Sequence, residues 1–358
     1  MSRDQPLIAH VNLARGFRGG ERQTELLVRG LAEAGIRQRV VVRRGEPLEA
    51  KLNNLQPGTE IVGCGGNVLG AALALRGTDL VHVHEARALQ AAWLNSVAGG
   101  APYLVTRRVQ QGPSHNALNR AIYARAARRV ALSSAIAGSL LALDPRLASV
   151  IIPSASAALP VDAERVAALR ERFKGRFLVG HIGALVDSHK GQRQIIAMAR
   201  ELAAVLPDIH FLLIGSGRDA EALAAEAAGL PNVEFTGEVT DVGNWLAALD
   251  IFLYPSRHEG LGSILLDAMA AGLPLVATRA GGIPEVVDSR GGFLCNVDDI
   301  AGLSAAIMTL HADAELRARM GTWNRERARD YSPAGMTARY LNLYRELLPG
   351  LETAGQHT

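Results

Sequence analysis

Short runs of Val, Ile and Leu alternate with longer helical patterns along almost the whole chain of 358 residues. The runs are continuously apolar, as in strands that are covered on both faces. Such a succession predicts βαβ units, a parallel sheet and an α/β fold. The predicted strands are Leu7–Leu13, Gln38–Val42, Leu80–Val83, Tyr103–Thr106, Val130–Leu132 and Val150–Ile152, followed by Leu178–Ile182, His210–Ile214, Val233–Phe235, Ile251–Tyr254 and Leu275–Ala277.

The alternation pauses at residues 151–160, which read Ile-Ile-Pro-Ser-Ala-Ser-Ala-Ala-Leu-Pro. This composition indicates a linker, and the length of the chain suits two α/β domains better than one core. We therefore expect a first domain at 1–158 and a second at 159–331. A last helix at about 332–348 is expected to pack back on the first domain.

Composition narrows the class of protein. The two cysteines, Cys64 and Cys295, lie far apart and lack metal-ligand spacing. With no leader pattern and no run of about 18 uncharged apolar residues, a reduced cytoplasmic protein is the simplest expectation. Aromatic residues make up only 4% and do not alternate with basic residues, which disfavours a nucleic-acid partner.

The charge is unevenly distributed. Residues 1–153 contain 19 Lys and Arg against 10 Asp and Glu, a net of +9. The remaining residues contain 19 against 25, a net of −6. Either arginine is simply common in this composition, or the first half meets an anionic partner such as a membrane surface or a phosphorylated acceptor.

Three glycine-rich turns follow predicted strands, at residues 15–20, 215–217 and 259–262. Glycine lets backbone N–H groups approach a phosphate, although tight turns contain glycine for structural reasons as well. None of the three matches the dinucleotide-binding fingerprint, which counts against an NAD enzyme.

Two acids stand eight residues apart in the segment that follows the strand ending at Tyr254. Glu259 lies in the loop and Asp267 lies two turns along the next helix. This spacing lets both carboxylates point into one crevice at the carboxyl end of the sheet, where they could accept hydrogen bonds from sugar and ribose hydroxyls.

The same segment resembles the signature of the retaining GT-B-fold glycosyltransferases of family four, group 1. The chain reads Glu-Gly-Leu-Gly at 259–262, Asp267, Ala-Met-Ala-Ala-Gly-Leu-Pro at 268–274 and Gly-Gly-Ile-Pro-Glu at 281–285. Further matches are the loop from Gly183 to Lys190-Gly191, Gly-Ser-Gly at 215–217, Val-Glu-Phe-Thr-Gly at 233–237 and Asp-Leu-Val-His-Val-His at 79–84.

The resemblance implies a GT-B fold, two Rossmann-like domains that face each other across a cleft. The acceptor would bind mainly to the first domain and the nucleotide-sugar donor to the second. It implies catalytic roles for Glu259 on a donor-sugar hydroxyl, for Lys190 on the diphosphate and for His84 facing the reacting sugar. The implied donor-binding residues are Gly19, Gly20, Gly217, Glu238, Val239, Leu261, Gly262, Ser263 and Asp267, where Asp267 takes the place of a ribose-binding Glu.

The chain departs from the family pattern at Ala184, where an Arg commonly neutralises the diphosphate. A second cation is then expected from elsewhere, with Arg18 as the first candidate and Arg257 as the second. Asp267 is one methylene shorter than the usual Glu, and Leu261 replaces the usual Phe. Because no Asp-x-Asp motif occurs, we expect no required metal. The nucleotide sugar would be a substrate, so no cofactor is expected.

The acceptor class rests on weaker signals. The Thr-Arg-Arg-Val stretch at 106–109 and the basic first half are similar to members that act on lipid-linked or lipopolysaccharide-core saccharides at the inner membrane face. This favours a saccharide or glycolipid acceptor and weak association with an anionic membrane surface. Two rival interpretations are a GT-B-fold nucleotide-sugar epimerase and a non-catalytic nucleotide-sugar-binding protein.

Overall fold

The structure is a computed structural model that describes residues 5–53, 55 and 58–352. The chain divides into two compact units. The first unit comprises the described residues up to Ala157 together with those from Pro333 onward, and the second is Ala158–Ser332. The sequence-based boundaries at 158/159 and 331/332 lie within one residue of these divisions.

The first unit is built around a parallel sheet in the order β3-β2-β1-β4-β5-β6-β7. The order reverses between β1 and β4, which makes this position the topological switch point. Its elements are β1 (Ile8–Asn12), α1 (Gly19–Glu33), β2 (Gln38–Arg43), α2 (Pro47–Leu52), β3 (Thr59–Cys64), α3 (Val68–Ala74), β4 (Leu80–Val83), α4 (Ala86–Val97), β5 (Tyr103–Arg107), α5 (Ala117–Arg125), β6 (Arg128–Ala131), α6 (Ser134–Leu143), β7 (Val150–Ile151) and α16 (Pro333–Leu347).

The last helix, α16, belongs to the core of the first unit. Tyr340 and Tyr344 are buried in one apolar cluster with Leu27 and Leu31 of α1. The two helices approach closely because α1 has glycine at position 30, where a Cβ would collide with the side chain of Thr337. Tyr340 and Tyr344, about 330 positions beyond the first strand, thus help to cover one face of the first sheet.

The second unit has a parallel sheet in the order β10-β9-β8-β11-β12-β13, with its switch point between β8 and β11. Buried side chains of β8, β9, α9 and α14 form its main apolar cluster. Its elements are α7 (Ala163–Arg172), β8 (Phe177–Ile182), α8 (Asp187–Lys190), α9 (Gln192–Leu202), β9 (Ile209–Ile214), α10 (Ala220–Glu226), β10 (Val233–Gly237), α11 (Val242–Ala248), β11 (Ile251–Tyr254), α12 (Ser263–Ala271), β12 (Leu275–Thr278), α13 (Ile283–Val286), β13 (Gly292–Cys295), α14 (Ile300–Ala312), α15 (Ala314–Ala328) and a 3₁₀ helix (Arg329–Tyr331).

The predicted strands are all present, with bounds that shift by at most two residues. The sequence analysis missed β3 and β13, which each lie at an edge of a sheet. Edge strands are covered less completely and need fewer apolar residues, so Thr-Glu-Ile-Val-Gly-Cys gave no clear apolar run.

The segment predicted as a linker carries no regular secondary structure from Ile152 to Asp162. It is nevertheless anchored, because the side-chain amide of Gln23 both accepts from the backbone N–H of Ala155 and donates to its carbonyl, at 2.8 and 2.7 Å. Within the described part of the chain, no helix has the length and apolar character needed to cross a bilayer.

Candidate functional site

The carboxyl ends of β8 and β11 flank the switch point of the second sheet, where open α/β sheets bind ligands. The loop after β8 leads to Lys190, and the loop after β11 leads to Glu259. The loops are joined by hydrogen bonds from the backbone N–H groups of Arg257 and His258 to the carbonyl of His189, at 2.8 and 3.2 Å.

Gly191 is what allows this close approach. It follows Lys190 in the left-handed conformation, with φ of 71°. A Cβ at this position would collide with the carbonyl oxygen of Pro255, just after β11. Only glycine tolerates both the backbone angle and the contact, so Gly191 brings Lys190 against the end of β11.

Lys190, Tyr254 and Glu259 form a compact polar cluster. The Lys190 ammonium donates to the hydroxyl of Tyr254 at 2.7 Å and forms an ion pair with the Glu259 carboxylate. The Tyr254 hydroxyl donates in turn to Glu259 at 2.6 Å. The Lys190 and Glu259 side chains are only 19% and 16% exposed, which shelters the ion pair from solvent.

Both members of the ion pair are held in their charged forms. Burial alone would raise the Glu259 pKa, but the charge of Lys190 and hydrogen bonds from Lys190, Tyr254 and Gly260 hold this pKa below its ordinary value. Burial alone would lower the Lys190 pKa, but Tyr254 and Glu259 hold it above its ordinary value. Burial raises the Tyr254 pKa, so the phenol keeps its proton.

Helix α12 begins next to this cluster without a side-chain cap. Its N-cap is Gly262, at φ of 84°, which has no side chain that could accept a hydrogen bond from the first turn. By contrast, α4 and α6 are capped by the side chains of Glu85 and Ser133. The helix start at Ser263 therefore presents backbone donors and the positive end of the helix dipole.

The remaining predicted residues near α12 are placed as follows. Leu261 is buried, at 3% exposure, and Asp267 is half-buried on the same helix as Ser263. Asp267 thus lies on the predicted helix, but just over one turn from its start rather than two. Its contact with a ribose stays a prediction.

The Gly215–Gly217 turn has a clear packing function. Cβ atoms at positions 215 and 217 would collide with the carbonyl oxygens of Gly183 and Leu185 in the loop after β8. These glycines therefore let two loops interlock at the carboxyl edge. Nearby, Glu238 is exposed and accepts a hydrogen bond from the Ser216 hydroxyl at 3.2 Å, whereas Val239 is half-buried.

Arg257, the second candidate for an additional positive charge, is paired with acids in the structure. Its guanidinium pairs with the carboxylates of Asp187 at 3.1 Å and Asp298 at 2.7 Å. It also donates to the backbone carbonyl of Asp187 at 2.8 Å. Two acids and a backbone carbonyl thus hold Arg257 in the loop, and its role in binding phosphate stays a prediction.

In the first unit, the glycine-rich turn leads directly into α1, which begins at Gly19. Arg18 and Gly19 are exposed and Gly20 is half-buried. The backbone N–H of Arg18 donates to the Glu21 carboxylate at 2.9 Å, which orders the turn. The Arg18 side chain has no ion-pair partner among the described residues, so it remains a candidate for an anionic ligand.

His84, which was expected to face the reacting sugar, is buried in the first unit, and that role stays a prediction. Its ring is 3% exposed, and both ring nitrogens have protein partners. His10 Nδ1 lies 3.0 Å from His84 Nε2, and the Arg108 guanidinium lies 3.2 Å from His84 Nδ1. Since Arg108 can only donate, a neutral His84 carries its proton on Nε2 and donates it to His10.

His82 completes this buried cluster. It contacts the Tyr344 hydroxyl at 2.6 Å through Nδ1 and the Thr106 hydroxyl at 2.7 Å through Nε2. Burial lowers the pKa of His10 to about 3 and also lowers the pKa values of His82 and His84, so all three rings are neutral.

One ring nitrogen of each of these three histidines lies within 4.8 Å of the others, a spacing that could hold a metal ion. The hydrogen bonds of His82 and the guanidinium of Arg108 oppose this, because they occupy the nitrogens and repel a cation. The absence of a required metal stays a prediction.

Sequence reasoning missed Tyr254, His10 and Arg108. Tyr254 was visible only as the last residue of a strand, and His10 as one polar residue within an apolar run. A polar ring at a position where the run should be buried was the available signal, since buried polar groups need partners.

Residues 176–313 match the family described as glycosyl transferases group 1. The chain is 35% identical over 282 residues to 2-deoxystreptamine N-acetyl-D-glucosaminyltransferase of Streptomyces fradiae, which is 69% of this chain and 67% of that protein. It is 31% identical over 349 residues to 2-deoxystreptamine glucosyltransferase of Streptomyces kanamyceticus, which is 81% of this chain and 90% of that protein.

Two further relatives are matched over less than half of their own length. The match covers 32% of sulfoquinovosyl transferase SQD2 of Arabidopsis thaliana, at 33% identity over 171 residues, 46% of this chain. It covers 44% of the lipopolysaccharide core biosynthesis glycosyltransferase LpsE of Rhizobium meliloti, at 34% identity over 149 residues, 40% of this chain.

Among solved structures, HepE from Anabaena in complex with UDP-glucose superposes with a TM-score of 0.82 at 19% identity, covering 95% of this chain and 99% of that one. This likeness shows the GT-B fold. Given two relatives above 30% identity that are covered over at least two thirds of their length, the chain belongs to the group 1 glycosyl transferases.

Proposed function

We propose that this protein is a retaining glycosyltransferase whose second unit holds a nucleotide-sugar donor and whose first unit holds a saccharide acceptor. The observation that carries the proposal is the Lys190–Tyr254–Glu259 cluster beside the uncapped start of α12, at the switch point of the second sheet. This edge offers one cation, one carboxylate and a set of backbone donors within a short distance of each other.

These groups suit the departure of a nucleoside diphosphate. As the bond to the sugar breaks, negative charge accumulates on the diphosphate. Lys190 supplies a positive charge, and the amides at Gly262 and Ser263 add the partial charge of a helix start. Because such donors are already oriented before the reaction, they stabilise the transition state without reorganisation.

Glu259 suits a different task. A carboxylate that is held ionised by Lys190 accepts hydrogen bonds from a diol, and so it can orient the donor sugar. Asp267, farther along α12, is proposed to hold the nucleotide ribose, with a bridging water making up for its short side chain. The acceptor hydroxyl then attacks on the face from which the diphosphate leaves, so the anomeric configuration is retained.

The donor and the acceptor are each proposed as a chemical class. HepE was solved with UDP-glucose, which supports a nucleotide sugar of this kind as the donor. LpsE is named for lipopolysaccharide core biosynthesis, and together with the basic first unit it supports a lipid-linked or core-type saccharide acceptor. No metal is assigned a role, because the chain contains no Asp-x-Asp motif.

The retaining mechanism is tested by the product. The donor is incubated with enzyme and acceptor, or with water as a slow acceptor, and the first-formed anomer is recorded by proton NMR. The proposal predicts that the product has the same anomeric configuration as the donor. Inversion would contradict it, and release of an epimerised free sugar without any acceptor would point instead to an epimerase.

A further inference from the structure

A cavity of about 360 Å³ lies wholly within the first unit, at the carboxyl ends of β2, β1 and β4. These three strands are neighbours, and the sheet order reverses between β1 and β4. The cavity therefore occupies the ligand-binding position that the topology of an open α/β sheet creates. It is lined by Leu13, Ala14, Arg15, Arg43, Glu85 and Arg87.

Three of the six lining residues are arginines, and two of these are not neutralised. Arg15 and Arg87 are exposed, and neither side chain has an acidic partner within ion-pair distance in the described part of the chain. Arg43 is the last residue of β2, and its guanidinium lies 3.6 Å from Glu46, so its charge is partly offset.

Glu85, the acid in the lining, is occupied by backbone groups. Its carboxylate accepts hydrogen bonds from the N–H groups of Leu13 at 3.2 Å and of Arg87 and Ala88 at 2.7 Å each. These bonds cap α4 and hold the loop after β1. A carboxylate fixed in this way cannot turn toward the arginines without breaking the cap, so the cavity keeps a positive lining.

Arginine presents its N–H groups in a planar fork that matches the oxygens of phosphate and carboxylate groups. The volume is that of a pocket for a small polar molecule such as one sugar with its substituent. We propose that this cavity binds an anionic substituent of the acceptor saccharide, a phosphate or a carboxylate, through Arg15, Arg43 and Arg87. That the bound molecule is the acceptor rests on the proposed function. The presence of an anion site does not depend on it.

The proposal separates this chain from two relatives that it matches over at least two thirds of their length. Both are named for 2-deoxystreptamine, a diamine that carries positive charge at neutral pH. Three arginines would repel such a molecule. The arginine-lined cavity thus predicts a specificity opposite in charge to the one those names describe.

The test is equilibrium binding to the full chain by isothermal titration calorimetry. The probes are inorganic phosphate, glucose 6-phosphate, glucose and 2-deoxystreptamine, and UDP serves to report on the donor. We expect phosphate and glucose 6-phosphate to bind, and glucose and 2-deoxystreptamine to bind at least about tenfold more weakly than glucose 6-phosphate. Arg15→Gln and Arg87→Gln should each weaken glucose 6-phosphate binding about tenfold, as expected for one lost charge-assisted hydrogen bond.

The matched control is Arg76→Gln. Arg76 is exposed in the same unit but lies before β4, at the opposite edge of the sheet, and its loss changes the net charge equally. It should leave the affinity within twofold of the parent. The proposal would be overturned if Arg76→Gln and Arg87→Gln lost equal affinity for glucose 6-phosphate. It would also be overturned if the parent bound glucose and glucose 6-phosphate equally.

The UDP titration separates the acceptor from the donor. If Arg15→Gln and Arg87→Gln weaken UDP and leave glucose 6-phosphate unchanged, the cavity serves the donor and the proposal is wrong. If anion binding behaves as expected but no sugar is transferred to any acceptor, the proposed function fails while the anion site stands.

Discussion

The two units share one topology but differ in the chemistry of their carboxyl edges. The edge of the second sheet carries a sheltered ion pair, Lys190 and Glu259, beside a helix start that no side chain caps. The edge of the first sheet carries neutral buried histidines and an arginine-lined cavity, with α4 capped by Glu85. In such a fold, the sheet topology determines where a ligand binds, and the loops after the strands determine which ligand binds.

The charges of whole units follow the same division. The residues of the first unit, 1–157 and 333–358, include 21 Lys and Arg and 12 Asp and Glu, a net of +9. Those of the second, 158–332, include 17 and 23, a net of −6. Under the proposed function, the acidic second unit must therefore attract the donor diphosphate through local groups, Lys190 and the helix amides.

The largest effect is expected from Glu259→Ala, which removes the carboxylate from the edge of the second sheet. Losing one preorganised polar group costs roughly 2.7–4 kcal/mol of transition-state stabilisation, so transfer should fall by about 10²–10³-fold. Steady-state kinetics would show this. The control is Glu221→Ala, an exposed acid on α10, and equal activity in both variants would remove Glu259 from the site.

Arg18→Ala tests whether the first unit also contributes a cation to catalysis. The side chain is exposed, so we expect kcat to fall by roughly 10²–10³ with an unchanged Tm. Arg257→Ala should do the reverse, costing about 1–2 kcal/mol of stability through its lost ion pairs with little change in kcat. A near-parental kcat in Arg18→Ala would leave Lys190 and the helix amides as the only sources of positive charge proposed for the diphosphate.

The buried histidines predict sensitivity of the first unit to acid. Because the folded-state pKa of His10 is lowered to about 3, the unfolded state binds more protons as the pH falls through 6.5. The free energy of unfolding therefore decreases as the pH falls, and His10 accounts for about 2 kcal/mol of this decrease between pH 7 and pH 5. Urea unfolding at both pH values should show a smaller drop in His10→Leu than in the parent or in His115→Gln, which removes an exposed histidine. If His10→Leu loses as much stability between pH 7 and pH 5 as the parent does, His10 is not buried in its neutral form.

The smallest effect expected is weak binding of the first unit to anionic lipid. Basic residues near an anionic surface contribute about 1 kcal/mol each, and salt screens this attraction. Sedimentation with phosphatidylglycerol vesicles should show binding at low salt that disappears as salt is added. Equal partitioning onto phosphatidylcholine vesicles at low salt would contradict the electrostatic origin.

The interior of the fold could be predicted from sequence because buried parallel strands must be continuously apolar. Ile251–Tyr254 and Leu80–Val83 were predicted with their observed bounds. The edge strands β3 and β13 could not, since an edge does not demand an apolar run.

The site was predictable by residue type but not by pairing. The spacing around Glu259 marked an acidic edge, whereas its contact with Lys190, 69 positions earlier, depends on how β8 and β11 meet. Arg257 shows the limit most clearly, because its partners Asp187 and Asp298 lie 70 and 41 positions away. Nothing in the local sequence indicates that these acids neutralise it.

The most direct measurement of the central claim is a thermal-shift titration with UDP, GDP, ADP and CMP sugars. At about 100 times its dissociation constant, the true donor should stabilise the folded protein by about 2.7 kcal/mol. If the second unit binds the donor, Lys190→Met should abolish this thermal shift. Arg87→Gln, at the carboxyl edge of the other sheet, should preserve it. A shift that survives Lys190→Met and vanishes in Arg87→Gln, or no shift with any nucleotide sugar, would contradict donor binding by the second unit.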